Sequence, residues 1–234
     1  MKTVLFDLDG TLLPMEQEHF TKAYFKALSA HMAANGYEPQ KLIAAVWKGT
    51  KAMLVNDGAQ TNEKVFWHSF AEDFGQRIYD DVAKFDEFYE TKFDALKAEC
   101  GFNARAAQTV KKLKARGVRL VLASNPVFPL TAHVKRMRWA GLDENEFCHI
   151  TSYSVSSYCK PSAGYYAEIA RTIGEDAKNC VMIGNDVSDD MPARDAGMDV
   201  FLLTDNLLNA RGADITCYRR GGFDELDAFL DETV

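Results

Sequence analysis

The chain has no run of roughly 18 apolar residues, the length a bilayer-spanning helix requires, so nothing in it reads as a membrane span. Positive charge is also scarce: 27 lysines and arginines stand against 34 aspartates and glutamates, a net charge of −7. That balance argues against nucleic acid or an anionic membrane surface as the main partner. A small anionic substrate would then need a local positive device such as a metal ion, a lysine or a helix N-terminus. The five cysteines (Cys100, Cys148, Cys159, Cys180 and Cys217) form no C-x-x-C pair and have no histidine at metal-ligand spacing. This excludes a zinc ribbon and a disulfide framework. An odd count with no export signal reads as reduced thiols. Cys159 adjoins Lys160, a cation that lowers a thiol pKa, but it reads as a passive thiol beside a functional lysine. At the N-terminus Asp7 and Asp9 interrupt any signal-peptide core, which leaves the cytoplasm as the expected compartment.

Hydrophobic side chains make up 47% of the 234 residues and charged ones 26%, enough for one sizeable core and a second small domain. Residues 16–100 read as wholly helical, with apolar and aromatic positions at helical spacing over 17–34, 40–55, 62–74 and 80–99. Turn signals at Asn35-Gly36, Asn56-Asp57-Gly58, Gly75 and Gly101 divide and close them. From residue 103 helix and strand alternate. Helices are expected over 103–116, 129–140, 162–173 and 190–196, the first three stopped by Gly117, Gly141 and Gly174. Strands are expected over 119–125, 149–153, 180–186 and 199–204, in addition to the one at the N-terminus. Apolar strands that alternate with helices and lack period-two patterning predict an α/β fold, a Rossmann-like parallel sheet covered by helices on both faces. The catalytic core would comprise 1–15 and 101–234, with an all-helical domain inserted over 16–100.

Ligands of such sheets bind beyond the C-terminal ends of the strands, and polar residues collect there: Asp7 and Asp9, then Ser124 and Asn125, then Asn185 and Asp186. The segment KTVLFDLDGT (2–11) carries most information, because a short apolar strand delivers two carboxylates to a Gly-Thr turn. Like charges this close repel, and each raises the pKa of the other. Either a divalent metal holds them together, or one is a nucleophile and the other an acid or base. Both readings indicate an enzyme. The inserted helices leave and rejoin the core beside this site, which suits a lid.

Four motifs in this order resemble those of the haloacid dehalogenase superfamily of phosphohydrolases: DLDGT (7–11), the strand-end Ser124, Lys160-Pro161 before a helix, and GNDVSDDM (184–191). The helical insert between the first two is similar to the helical cap of that family. The resemblance implies Asp7 as nucleophile, attacking phosphorus to give an aspartyl-phosphate that water hydrolyses. It also implies Mg²⁺, held by the Asp7 carboxylate, the Asp9 backbone carbonyl and Asp186. Asp9, as general acid and then base, would serve the leaving alcohol and the water. Dehalogenases of the family lack an acid at this position, so Asp9 favours phosphoryl transfer. Ser124 and Lys160 would hold the phosphoryl oxygens, and Lys160 would also pair with Asp7 or an acid of the fourth motif. Asn125 before Pro126 fits the start of a helix whose N–H groups face an anion.

The fourth motif departs from the usual Gly-Asp, since Asn185 stands between Gly184 and Asp186. Asp186 is assigned to the metal because an anionic oxygen binds Mg²⁺ better than an amide. Asp190 is the acid expected behind it, with Asp189 the neighbouring choice. Substrate selection would fall to the helical domain, where Lys48 and Lys51 near Trp47, and His19 with Phe20, are candidates; on amphipathic helices such residues are more often core aromatics and solvated lysines. The expected activity is a Mg²⁺-dependent phosphatase of a small phosphorylated metabolite. A phosphomutase of the same family and a non-catalytic binding or regulatory protein are the alternatives, and the oligomeric state is not legible.

Overall fold

Side chains on successive strand residues point to opposite faces, and in this chain both faces are apolar. The computed structural model, which describes residues 2–234, shows six short strands: β1 (Thr3–Phe6), β2 (Leu120–Leu122), β3 (His149–Ile150), β4 (Cys180–Gly184), β5 (Asp199–Leu203) and β6 (Arg219–Gly221). They form one sheet in the order β3-β2-β1-β4-β5-β6, every neighbouring pair parallel. Val4 and Phe6 of β1, with Leu120 and Leu122 of β2, join the core on one face. Leu5 and Val121 between them join the core on the other. Helices α5 (Ala104–Ala115) and α8 (Phe223–Thr233) pack on the first face through Val110, Leu113, Leu226 and Phe229. Helix α7 (Ala163–Ile173) covers the second through Tyr165, Tyr166 and Ile169. The Rossmann-like sheet with helices on both faces is thus present.

Between β1 and α5 come four helices, α1 (Gln17–Ala33), α2 (Pro39–Leu54), α3 (Asn62–Phe74) and α4 (Ile78–Thr91), and a 3₁₀ segment, Phe93–Glu99. Their apolar faces are largely aromatic. Phe93 stacks on Trp139 of α6 (Leu130–Trp139), with centroids 5.2 Å apart, and meets Phe20, Tyr24 and Phe88 edge-on. One apolar cluster therefore runs from the sheet into the helical insert. The chain enters and leaves this insert side by side: Met15 and Cys100 form an antiparallel bridge, and the Gly101 N–H donates to the Pro14 carbonyl at 2.7 Å.

Several sequence expectations need correction. The helix expected over 80–99 is two pieces, because it ends at Thr91 and Phe93 turns inward to the core. In place of a strand over 149–153, only His149–Ile150 pair with β2; beyond them the Ser152 carbonyl turns back to accept from Val155 and Ser156. The helix expected over 190–196 is a single 3₁₀ turn, Met191–Arg194, containing Pro192 and closed at Gly197 in the left-handed region (φ 91°). Asn125-Pro126 does not start a helix: α6 begins at Leu130, with Pro129 at its cap. β6 and α8 lie beyond the last segment that the sequence pattern marked.

Phe93 is fully buried at the junction of the insert and the core. Phe93→Ala is expected to lower the unfolding free energy by about 3–5 kcal/mol, the usual cost of emptying an aromatic site. Urea denaturation followed by circular dichroism measures it.

Candidate active site

The loops after β1, β2 and β4, and the turn before α7, all open at one end of the sheet and frame a cleft of about 350 Å³. Asp7, Asp9, Ser124, Asn125, Lys160, Asp186, Asp189 and Asp190 all line it, so every site residue expected from the sequence reaches one place. The helical insert supplies the facing wall through Phe20, Thr21, Trp47 and Thr50. Of the other insert candidates, Lys48 pairs with Glu72 and Asp73, each at 3.0 Å, and neither His19 nor Lys51 lines the cleft.

Lys160 is the centre of the arrangement. Its Nζ lies 2.8 Å from Asp7 Oδ1 and 2.6 Å from Asp190 Oδ1, and its side chain is 1% exposed. Burial opposes the ammonium charge, but Asp190 and Asp7 outweigh it and hold the pKa well above the ordinary lysine value. Burial raises the Asp190 pKa, with Lys160 pulling it back. The other Asp190 oxygen accepts from the Asp186 N–H at 2.9 Å, so this acid holds both the lysine and the loop. A Cβ on Gly184 would lie 2.1 Å from the Asp190 carboxyl, which explains glycine at that strand end.

Asn185 has a structural task. Its Nδ2 donates to the Asn206 carbonyl at 2.7 Å, its Oδ1 faces Thr11 Oγ1 at 2.9 Å, and Asn206 in turn donates to the Gly10 carbonyl. Thr11 Oγ1 also lies 3.1 Å from Asp7 Oδ2, so the hydroxyl has two acceptors for its one proton. Gly10 is left-handed (φ 87°), and a Cβ there would meet Asn185 Nδ2 at 2.3 Å. The DLDGT turn is therefore clamped against the fourth motif. Asp186 Oδ1 accepts from the N–H groups of Ser188 and Asp189, at 2.7 and 3.1 Å. Asp189 is half-buried, its carboxyl pKa raised by burial and then by Asp186, and its carbonyl accepts from the Tyr166 hydroxyl.

Ser124 is 2% exposed. Its carbonyl accepts from Thr151 and Tyr165, at 2.6 and 2.9 Å, which fixes the strand end. Its hydroxyl lines the cleft. Asn125 Oδ1 accepts from the Lys160 N–H at 3.3 Å and so ties the second motif to the third.

One buried cation escaped the sequence reading. The Arg136 guanidinium pairs with Asp9 Oδ2 although the arginine side chain is only 1% exposed. Its Nε donates to the Ala132 carbonyl at 3.2 Å, its plane lies 4.7 Å from the Phe128 ring centre, and Nη2 is 3.1 Å from His133 Nδ1. A guanidinium keeps its protons, so His133 Nδ1 must accept. Burial, then Arg136, holds the His133 pKa well below its usual value and leaves the imidazole neutral. The Asp9 pKa is raised by burial, with Arg136 the main opposing influence and Asp7 a further upward push. Asp9 Oδ1 is buried without a hydrogen-bond partner. The available signal was a cation on the inward face of α6, one turn beyond Ala132 and His133.

The cleft therefore holds five carboxylates (Asp7, Asp9, Asp186, Asp189 and Asp190) against two cations, Lys160 and Arg136. An anionic substrate would be repelled unless more positive charge were present. Among the described residues no three His, Cys, Asp or Glu side chains converge as a metal cluster. The three residues that the family resemblance assigns to a cation, Asp7 and Asp186 through their carboxylates and Asp9 through its main-chain oxygen, all line this cleft. Mg²⁺ suits such a set, since it takes hard oxygen ligands, commonly only one or two carboxylates, and keeps several waters.

A sequence model of the haloacid dehalogenase-like hydrolases matches residues 1–197. Among curated proteins none matches the chain. Solved structures share the fold over essentially the whole length. A 2-haloacid dehalogenase from Pseudomonas syringae pv. tomato is 20% identical, with 100% of each chain covered and a TM-score of 0.66. A haloacid dehalogenase family hydrolase from Deinococcus radiodurans, with bound phosphate and sodium, is 23% identical, covering 100% of this chain and 96% of that one, with a TM-score of 0.58. The magnesium-bound hydrolase YfnB from Bacillus subtilis is 18% identical, with 98% of each chain covered and a TM-score of 0.57. With its four motifs gathered at one end of this sheet, the chain belongs to the haloacid dehalogenase-like hydrolase family.

Proposed function

We propose that the protein is a Mg²⁺-dependent phosphatase of small phosphate monoesters. The observation that carries this reading is Asp9, a carboxyl group with a raised pKa held in the catalytic cleft by a buried arginine, two residues from the nucleophile position. Cleavage of a carbon–halogen bond expels a halide and needs no proton donor, whereas an alkoxide leaving group does. The bound phosphate in the Deinococcus relative and the bound magnesium in the Bacillus relative support the same reading.

In the first half-reaction an Asp7 oxygen attacks phosphorus, the bond from phosphorus to the alcohol oxygen breaks, and Asp9 gives that oxygen its proton. In the second, the Asp9 carboxylate takes a proton from water, the water oxygen bonds to phosphorus, and the bond to Asp7 breaks to release phosphate. Lys160, locked between Asp7 and Asp190, aims the nucleophile and offsets charge on the phosphoryl oxygens. The Ser124 hydroxyl and the Asn125 side chain offer polar contacts to those oxygens. Asp7, Asp186 and the Asp9 carbonyl would hold Mg²⁺, which would supply the positive charge that lets a carboxylate approach a phosphate.

Asp7→Asn removes the nucleophile, and phosphate release from a panel of phosphorylated metabolites is expected to fall at least about 1,000-fold. Chelation with EDTA is expected to abolish the wild-type activity, and added Mg²⁺ to restore it. Turnover that survives either treatment overturns the mechanism, and isomer formation without phosphate release would assign a mutase.

Arg136 favours the ionised form of Asp9, so its removal raises the Asp9 pKa. The general acid must carry its proton, so activity is lost as pH rises through that pKa. Arg136→Met is therefore expected to move the alkaline limb of the kcat/KM profile to higher pH, and Arg136→Lys to return it toward the wild-type position. Steady-state kinetics across pH check both.

A further inference from the structure

The catalytic cleft does not end at the phosphoryl site. Phe20, Thr21, Trp47, Thr50, Val127 and Phe128 wall it on one side and also wall a second cavity of about 210 Å³ between the helical insert and the core. Ten of the seventeen residues around that second cavity are aromatic, and one, Asp86, is charged. Protein interiors pack to near-crystalline density and keep few voids larger than a water molecule. An open chamber among so many rings, joined to a catalytic cleft, is a shape the fold maintains. Its size sets what enters: an apolar cavity of about 150 Å³ takes up benzene, so about 210 Å³ admits one ring with a substituent.

Trp47 gives a second observation. It lines both cavities, packs at a tilt against Phe25 with ring centres 5.3 Å apart, and is 53% exposed. A tryptophan left that open adds little to the core, yet it offers a flat face to anything passing from one cavity to the other. Thr21 and Thr50 also line both cavities, and their hydroxyls suit the linking atoms of a substrate.

We infer that this chamber binds the leaving group, and that the substrate is a phosphate monoester whose alcohol carries a single aromatic ring. The inference rests on the phosphatase reading for the reaction and on the cavity alone for the ring. With the phosphoryl group at Asp7 and Lys160, the ring stacks in the insert, out of water.

The test compares benzyl phosphate with propyl phosphate, two primary-alcohol esters that differ in the ring. The benzyl ester is expected to have a kcat/KM about 30-fold higher, the equivalent of burying one phenyl group. Trp47→Ala, at a half-exposed position, is expected to cut that preference about tenfold. Benzyl alcohol gives a readout independent of turnover. By NMR it should shift the indole N–H signals of Trp47 and Trp67, which line the chamber, and not that of Trp139, which donates to Asp94 at 3.1 Å outside it. Equal rates for the two esters, or no shift at Trp67, overturn the aromatic pocket. If neither ester is cleaved while Trp47 and Trp67 still shift, the pocket stands and the phosphatase reading falls.

Discussion

One ammonium group makes the rest of this site possible. Asp7 and Asp190 come from loops after different strands and meet where water scarcely reaches. Two carboxylates brought together in such a place repel each other. Lys160 sits between them, reaching each within hydrogen-bonding distance, and so joins the turn before α7 to the ends of β1 and β4. The surrounding backbone is shaped to permit this contact. Gly184 leaves room for the Asp190 carboxyl, and Gly10, braced by Asn185 and Asn206, sets the turn that presents Asp7. Breaking such a buried pair leaves an uncompensated charge, so the chemistry and the local fold share one interaction.

A second buried pair mirrors the first. At Asp9 burial pulls toward protonation and Arg136 pulls back, while Lys160 holds the Asp7 side chain at 2.8 Å. Two carboxyls two residues apart thus each meet their own buried cation, Lys160 at Asp7 and Arg136 at Asp9. The turn achieves this: residues 7 and 9 share a spacing that would put them on one face of an ideal strand, but the chain leaves β1 at Phe6 and turns.

The sheet and the acidic motifs were legible in the sequence because each leaves a local mark. Burial on both faces writes uninterrupted apolar runs such as LVLA (120–123) and CVMIG (180–184), and carboxylates at strand ends are costly enough to need a reason. Arg136 left almost no mark. Its neighbours Lys135 and Arg138 are charged too, and only the three-dimensional position of α6 shows that the middle cation of the three faces inward onto Asp9. The false helix start at Asn125-Pro126 failed for a related reason: Asn125 spends its side-chain Oδ1 on the Lys160 backbone N–H, a contact 35 residues away in the chain. Asp190 likewise sits where a helix cap would, but its oxygens serve Lys160 and Asp186. In the insert, helical spacing located Phe20 and Trp47 as apolar positions; it did not distinguish a ring that fills the core from one that walls a cavity, since both obey the same period.

The bridge between Met15 and Cys100 has a further consequence. Antiparallel partners lie about 5 Å apart, so some eighty-five residues of helix are spliced into the core through a gap one strand spacing wide. A detour that returns to its starting point can be lengthened, shortened or exchanged without moving the residues on either side of it. Asp7 before the gap and Ser124 after it keep their places whatever the loop between them becomes. A change in the length of the insert therefore leaves its entry and exit one strand spacing apart, as long as the Met15–Cys100 bridge holds.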